Sequence, residues 1–277
     1  MSLHRVLIAC EVSGEVREAF AALYPDWEIW SADLYGPNTL LDEKPPKATH
    51  YPDGGVIWEH PDVAGSGFHY QGDVRDLFSW DHPVNRKRRY FRNKADEEYG
   101  VDIPLWDLII AHPPCTDLSY AGARFFKEKD QDRGGDGRMQ CAVSFFRCML
   151  HGSPSPLVAV ENPHSVIQDP RFKIGKATQV VQPWWFGDPY EKQIHLWLKG
   201  LPELCADMAV DPVYRVTTGG GSWRTDKAAA KKEMSRYEDS KGRHNRARMR
   251  SKTMPGFARA MAEQWGEFVK VYYCEER

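Results

Sequence analysis

Short, almost unbroken apolar runs alternate along the chain with amphipathic stretches, the pattern of strands buried in a sheet and helices laid over it. HRVLIAC (4–10) is the first such run and predicts a buried strand. GEVREAFAALYPD (14–26) follows, with Val16, Ala19, Phe20 and Leu23 on one helical face and a stop at Pro25. WEIWSAD (27–33) predicts a second strand ending in Asp33. Together they form a β–turn–α–β unit, the opening of a nucleotide-binding type of α/β domain. Residues 34–68 are rich in Pro, Gly and His and predict a long irregular insertion. FHYQGDVRDLF (68–78) then reads as a short third strand with an acidic tip at Asp73.

WDLIIAHPPC (106–115) has the continuous apolar run of a central parallel strand and ends at two prolines, which cannot donate to a ladder. RMQCAVSFFRCML (138–150) predicts a helix with Ala142, Phe145, Phe146 and Met149 on one side; Cys141 and Cys148 are expected to share its packed side. PLVAVENP (156–163) predicts another buried strand, and ATQVVQPWWFG (177–187) with QIHLWLKG (193–200) an antiparallel pair at the sheet edge. Residues 201–250 are polar and Gly/Lys/Arg-rich, without the apolar content for a core. PGFARAMAEQWGEFV (255–269) aligns Phe257, Ala260, Met261, Trp265 and Phe268 in one stripe and predicts a helix packed back on the sheet. The expected architecture is α/β: a mostly parallel central sheet with helices on both faces. Its core spans 1–200, with insertions near 34–68 and 81–100. A small basic segment occupies 201–250, and the helix and tail at 251–277 return to the core.

Composition narrows the class. With 277 residues, 42% apolar and 27% charged, the chain can bury a large core, and disordered, collagen-like and membrane-spanning readings are excluded. No apolar run approaches the roughly 20 residues that span a bilayer. The opening MSLHRVLIACEVSGEV reaches Glu11 too soon for a signal peptide. Six cysteines, none in a CxxC pair, argue against a disulfide framework or structural zinc and fit a reducing cytoplasm. The net charge of −2 conceals a segregation: residues 86–94 (RKRRYFRNK) carry six positive charges, and residues 224–252 have a net charge of +7. Tyr90, Phe91, Trp223 and Tyr237 lie among these charges. Basic segments interleaved with aromatics suit nucleic acid, although solvated loops would read the same way.

Candidate chemistry gathers where apolar strands end in polar residues: Glu11 and Ser13 after the first, Cys115 after the fourth, Glu161 and Asn162 after the fifth. Ligands of open α/β sheets bind at the carboxyl ends of the strands. Cys115 is a candidate nucleophile if its thiolate is stabilised, and Glu161 a candidate proton donor if desolvation keeps it protonated. A thiol and an acid without a partnering histidine suit attack on a conjugated ring better than peptide hydrolysis. The first loop, CEVSGEVREAF (10–20), has only Gly14, which disfavours a pyrophosphate. Acidic groups at Glu11, Asp33 and Asp73 suit an amine and a ribose instead, which points to S-adenosylmethionine.

At these residues the sequence resembles the C5-cytosine DNA methyltransferases, and most closely their compact phage and prophage type. CEVSGEVREAF resembles the first motif, Asp33 the ribose-binding position and Asp73 the adenine-side position. DLIIAHPPCTDLSYAG (107–122) is similar to Asp-Leu-x-x-x-Gly-x-Pro-Cys-Gln-x-Phe-Ser-x-Ala-Gly, with His112 at the glycine position. VAVENPHSV (158–166) resembles the Glu-Asn-Val motif, and SKTMPGFARAMAEQW (251–265) the closing helix beside the cofactor. GDPYEKQIHLWLKG (187–200) resembles Gly-x-Pro-Gln-x-Arg-x-Arg, with Gln193 retained and His195 and Trp197 at the arginine positions. Lys192 or Lys199 is then a candidate to compensate for the missing arginines. His112-Pro113-Pro114-Cys115 is also similar to the Asp/Asn-Pro-Pro-Tyr/Phe motif of amino-group methyltransferases, but His112 and Cys115 supply neither of its roles well.

The resemblance implies a Rossmann-like S-adenosylmethionine-dependent methyltransferase fold. It implies Cys115 as nucleophile, Glu161 as proton donor, and Asn162, Ser119 and His195 as supporting site residues. Glu11, Val12, Ser13, Gly14, Asp33, Asp73 and Pro114 would border the cofactor, and no metal is required. Double-stranded DNA is the expected partner, no membrane is involved, and a monomer or weak dimer is compatible. Three other readings remain open: another cytosine substrate (RNA, a nucleotide or a modified cytosine), a non-catalytic nucleic-acid-binding relative, and an α/β protein with a structural cysteine.

Overall fold

A computed structural model of the chain describes residues 4–11, 13–34, 47–50, 55–59, 67–86, 88–90, 94, 103–217, 220–223 and 253–275. The first apolar run forms β1 (Arg5–Ala9), buried along its whole length. It leads into α1 (Glu15–Leu23), whose N-cap Gly14 has φ 77°, a left-handed turn that glycine adopts without steric cost. The helix buries Val16, Arg17, Phe20 and Ala21. Leu23, expected on the packed face, is instead 45% exposed, and the next residue, Tyr24, takes the buried place beside Phe20.

The next strands are β2 (Glu28–Asp33), β3 (Lys47–His50), β4 (Val56–Glu59), β5 (Gly67–Gln71), β6 (Leu108–Ala111) and β7 (Val158–Asn162). After β7 come β8 (Gln179–Val181), β9 (Tyr190–Glu191) and β10 (Ile194–Lys199). A nine-stranded sheet has the order β3-β4-β5-β2-β1-β6-β7-β10-β8. Its middle, from β5 to β7, is parallel. β10 runs antiparallel to both β7 and β8, giving the paired edge that the two late apolar runs predict. At the other edge, β3 and β4 extend the sheet antiparallel to β5. The irregular insertion expected at 34–68 therefore contains two strands. β3 (KATH), the edge strand, is polar, whereas β4 (VIWE) pairs on both sides and is apolar but too short to stand out among the surrounding Pro and Gly residues.

Alternation along the strands divides the core in two. Val6, Ile8, Leu108, Ile110 and Leu196 face α1 and the C-terminal helices, while Leu7, Ala9, Ile109, Val158 and Val160 face the opposite layer. On that second face lies α3 (Arg138–Arg147), reached through the short α2 (Phe126–Lys129) and continued by a π-helical turn at Cys148–Gly152. Its buried line is Met139, Val143 and Phe146 rather than one centred on Ala142 and Phe145. That rotation exposes Cys141 and leaves Cys148 half-buried, so the expectation of a shared packed side is corrected. The C-terminal helix runs as α4 (Pro255–Ala260), a π-helical turn (Met261–Trp265) and α5 (Gly266–Glu275), and buries Phe257, Ala260, Met261 and Trp265 on the first face. The result is a mixed α/β fold of generic Rossmann-like type.

Within 201–250, Leu204 joins the first core, and β11 (Tyr214–Thr217) pairs with β12 (Gly220–Trp223) and β9 in a small second sheet. This segment thus contributes more order than its polarity predicts; residues 224–252, with the second basic cluster, lie outside the described residues. Of the first cluster, Arg88 donates to both carboxylate oxygens of Asp107 and to the Pro104 carbonyl, so it serves the fold and not a phosphate. Tyr90 is exposed, with Lys94 4.8 Å from its ring centre. Among the described residues no helix is long and apolar enough to cross a membrane.

Candidate active site

In the central sheet, β1, β2 and β5 succeed one another in one direction, and β6 lies on the other side of β1. The reversal opens a crevice beyond the carboxyl ends of β1 and β6. Cys10, directly after β1, has φ 60°, an uncommon conformation for a non-glycine residue, and its N–H still extends the ladder to the Ala32 carbonyl. Burial raises its thiol pKa, and the nearby charges of Asp33 and Asp73 add to this, so the ends of β1, β2 and β5 face one another.

Glu11 has a definite task. Its Oε1 accepts the Val16 N–H at 2.7 Å and the Ser13 hydroxyl at 3.2 Å, and its Oε2 accepts the Arg17 N–H at 3.3 Å. The Ser13 hydroxyl in turn accepts the Glu15 N–H. The α1 N-terminus, normally an anion site, is thereby satisfied by the chain's own carboxylate. Asp73 caps the 3-10 turn that follows β5 and grips the Arg75 guanidinium with both oxygens, which holds its pKa below the ordinary value. Asp73 therefore enters the crevice already paired. Val12 lies outside the described residues.

The second group sits at the ends of β6 and β7. Ala111 is opposite Val160, so the next residues, His112 and Glu161, stand side by side. The His112 N–H donates to the Ala9 carbonyl, which carries the β1 ladder one residue beyond β6 and fixes the imidazole's origin. Its Nδ1 lies 3.5 Å from Glu161 Oε2. The chain then passes Pro113, whose carbonyl accepts from the Asn162 amide at 3.2 Å, and the exposed Pro114 to the half-buried Cys115. Asn162 is fully buried and ties the cysteine loop to β7.

Beyond Cys115 the loop is built rather than loose. The Leu118 and Ser119 N–H groups donate to the Cys115 carbonyl, and Val166 N–H donates to the Leu118 carbonyl. The Ser119 hydroxyl caps the following 3-10 turn by accepting the Ala121 N–H, so it shapes the loop. Lys129, buried inside the loop, reaches the Thr116 carbonyl at 2.8 Å and Asp117 at 2.9 Å. Tyr120 and Phe125 remain exposed near the mouth, with Tyr120 against His164 and Arg124 over the Phe125 ring.

Charge in the crevice differs from the sequence expectation. Burial would raise the Glu161 carboxyl, but the close His112 imidazole and the positive charge of Lys192 bring it below the ordinary carboxylate range. It is ionised, not protonated by desolvation. The Cys115 thiol is raised, first by burial and then by the Glu161 charge, against a lowering by Lys192. Lys192 thus acts on both groups. Lys199 pairs opposite Val158 at the start of β7, the far end of the strand from Glu161.

His195 pairs opposite Asn162, accepts the Gln168 amide N–H at Nδ1 at 3.1 Å, and is held below the ordinary histidine pKa by burial and by His164. It is neutral and does not replace an arginine's charge. Trp197 is core: buried, packed edge-on to Phe146, and bonded to the Gly175 carbonyl.

Four buried polar atoms on residues at or after the ends of β6 and β7 and on the facing β10 have no hydrogen-bond partner among the described residues: His112 Nε2, Asn162 Oδ1, Ser165 Oγ and His195 Nε2. Buried polar atoms are nearly always satisfied, so these four are open to polar groups from outside the chain. The pairing of His112 with Glu161, the neutral His195–Gln168 contact and the role of His164 escaped sequence reasoning; only the adjacent strand ends hinted at them. Fold and site together define a Rossmann-like α/β protein with a thiol, an ionised carboxylate and three imidazoles around one crevice. No protein-family model matches the chain, and no curated protein matches it.

Proposed function

We propose that the protein transfers a methyl group from S-adenosylmethionine to C5 of cytosine in DNA. The observation that carries this reading is the convergence of Cys115 and Glu161 at the ends of adjacent parallel strands, near enough that the carboxylate perturbs the thiol. The finer fold assignment, an S-adenosylmethionine-dependent methyltransferase, belongs to the same proposal. The donor set suits that cofactor: Glu11 takes the Val16 and Arg17 N–H groups that a pyrophosphate would use at the α1 N-terminus, and Asp33 at the end of β2 places a carboxylate where ribose hydroxyls would lie. When bound, the cofactor supplies an electrophilic methyl group. Ser13, Gly14 and Asp33 border it, and Asp73 contributes through Arg75.

The target base leaves the duplex stack, since its reacting carbons are otherwise covered. Cys115 Sγ adds to C6 as N3 is protonated from Glu161, and C5 becomes nucleophilic. After methyl transfer, loss of the C5 proton expels the thiolate. Asn162 holds the cysteine loop, and Lys192 offsets negative charge at the thiol. The exposed Tyr120, Phe125 and Arg124 beside the mouth, and Tyr90 with Lys94, favour a nucleic-acid polymer over a free nucleotide.

The test is product mapping. Unmethylated DNA, RNA and cytosine nucleotides are incubated with labelled cofactor, and the modified base is identified. Label at C5 of cytosine in DNA is expected, together with a covalent adduct to 5-fluorocytosine DNA that C115A abolishes. Label in RNA or nucleotide alone, or full transfer by C115A, would overturn the assignment.

A further inference from the structure

Glu161 is the proposed proton donor, yet it rests ionised, and the proposed nucleophile rests as a thiol. A group that must give a proton lacks one, and a group that must lose one holds it. The neighbour on β6 accounts for this arrangement. His112 is built into the sheet by its own N–H to Ala9, its Nδ1 faces one oxygen of Glu161, and the register of β6 against β7 makes the juxtaposition a property of the sheet and not of a loop.

We propose that His112 is a positioning residue that donates Nδ1–H to Glu161 Oε2 and keeps the carboxylate as a proton shuttle between the Cys115 thiol and N3 of the cytosine ring. The inference rests on the methyltransferase reading and deepens it. The balance closes without another reagent. The S–H bond breaks and its proton moves to Glu161 Oε1; Sγ forms a bond to C6, and the carboxyl passes the same proton to N3. Glu161 ends as it began, and His112 keeps its proton throughout. A Glu161 that rested protonated could not accept from the thiol.

The other described groups facing Glu161 fit this assignment. Lys192 stabilises the anion electrostatically, as the developing thiolate also requires. His195 is neutral and engaged by Gln168, and His164 stacks on His195, with ring centres 5.4 Å apart. Neither makes a hydrogen bond to Glu161.

The test uses the full chain as wild type, H112G and H112N, the last placing an amide donor near the Nδ1 position. Carbon-detected NMR follows the Glu161 carboxyl through pH, and single-turnover methylation of cytosine DNA is measured across the same range. In H112G the carboxyl should titrate at higher pH than in wild type. Transfer at neutral pH should fall about tenfold or more, on the scale of lost acid–base catalysis. H112N should recover much of both, which a packing role for the ring would not produce. An unmoved Glu161 titration in H112G, or a pH–rate profile superimposable on wild type, overturns the proposal. If wild type methylates no cytosine substrate, the reading of function fails, while the carboxyl titration still decides whether His112 governs Glu161.

Discussion

The junction between the 183–190 segment and the C-terminal helix offers a sharp test of how this fold is held. Gly256, in the first turn of α4, donates its N–H to Asp188 Oδ1 at 3.1 Å, and Phe257 N–H donates to Oδ2 at 2.9 Å. Met254, the N-cap residue, has no side-chain oxygen, so Asp188 caps this helix from 68 residues away. A Cβ at Gly256 would overlap the Phe186 carbonyl oxygen and come within 2.8 Å of Asp188 Oδ2, closer than the 3.0 Å that real Cβ atoms keep. G256A must therefore push the helix start away from the segment that caps it.

Overpacking against backbone costs about 1–3 kcal/mol, and stretching two N–H bonds to a carboxylate adds about 1–2 kcal/mol. The second figure lies toward the low end because burial raises the Asp188 pKa, so the ionised acceptor already carries a desolvation cost. A net loss of about 2–4 kcal/mol corresponds to a fall in Tm of about 4–8 °C for a chain of this length. Thermal unfolding followed by circular dichroism, with urea midpoints as a second measure, reads it directly. D188A removes the acceptor without the clash, so the two changes should be non-additive, D188A costing less in the G256A background. A Tm for G256A within about 1 °C of wild type, against the fall estimated from residue-level entropies, would refute the close approach.

Three further outcomes are expected. E161Q removes the negative charge that raises the Cys115 thiol, so its pKa falls, more thiolate is present below that pKa, and iodoacetamide should label Cys115 about three- to tenfold faster at neutral pH; K192M should slow the same labelling, and the opposite signs in a mass-spectrometric time course would contradict the charge arrangement. Arg5 is 2% exposed, donates to Glu28, Asn85 and the Val84 carbonyl, and lies 4.0 Å from the Trp106 ring centre. R5A strands those acceptors and should cost about 3 kcal/mol or more by denaturant titration, as removal of one buried charge partner does; a loss below about 1 kcal/mol would place the network among weak surface pairs. Binding to duplex DNA should weaken as salt rises, with log K linear in log salt, and a salt-independent constant from fluorescence anisotropy would remove phosphate contacts from the picture.

Much of this protein is legible in its hydrophobic pattern. RVLIA, LIIA and VAVEN are short apolar runs bounded by turn residues, the pattern of central parallel strands, and the stripe from Phe257 to Trp265 is that of a covered helix face. Those runs are local, and burial on both faces of a sheet imposes a composition that short windows reveal. The edge strand β3 (KATH) lacks it, because an edge strand is fixed by its partner's hydrogen bonds more than by its own side chains, and the four-residue β4 is too short a run to signal a strand. Cys141 shows a similar limit: a spacing of seven places two residues on one helix side, but only the packed neighbours decide which side is covered.

The site divides the same way. Residue types and strand ends named Cys115, Glu161 and Asn162 as candidates. Their states came from tertiary structure alone, since a pKa depends on what surrounds a group and the surroundings here come from three separate stretches of chain. Register placed His112 beside Glu161, the β9–β10 turn brought Lys192 near both reactive groups, and burial left His195 neutral. Glu11, a cofactor-border candidate by its place after β1, also caps α1, because its carboxylate is within reach of its own α1 N-terminus. A sequence specifies which groups a crevice holds; the distances between strands that are remote in the chain decide which of them carry charge.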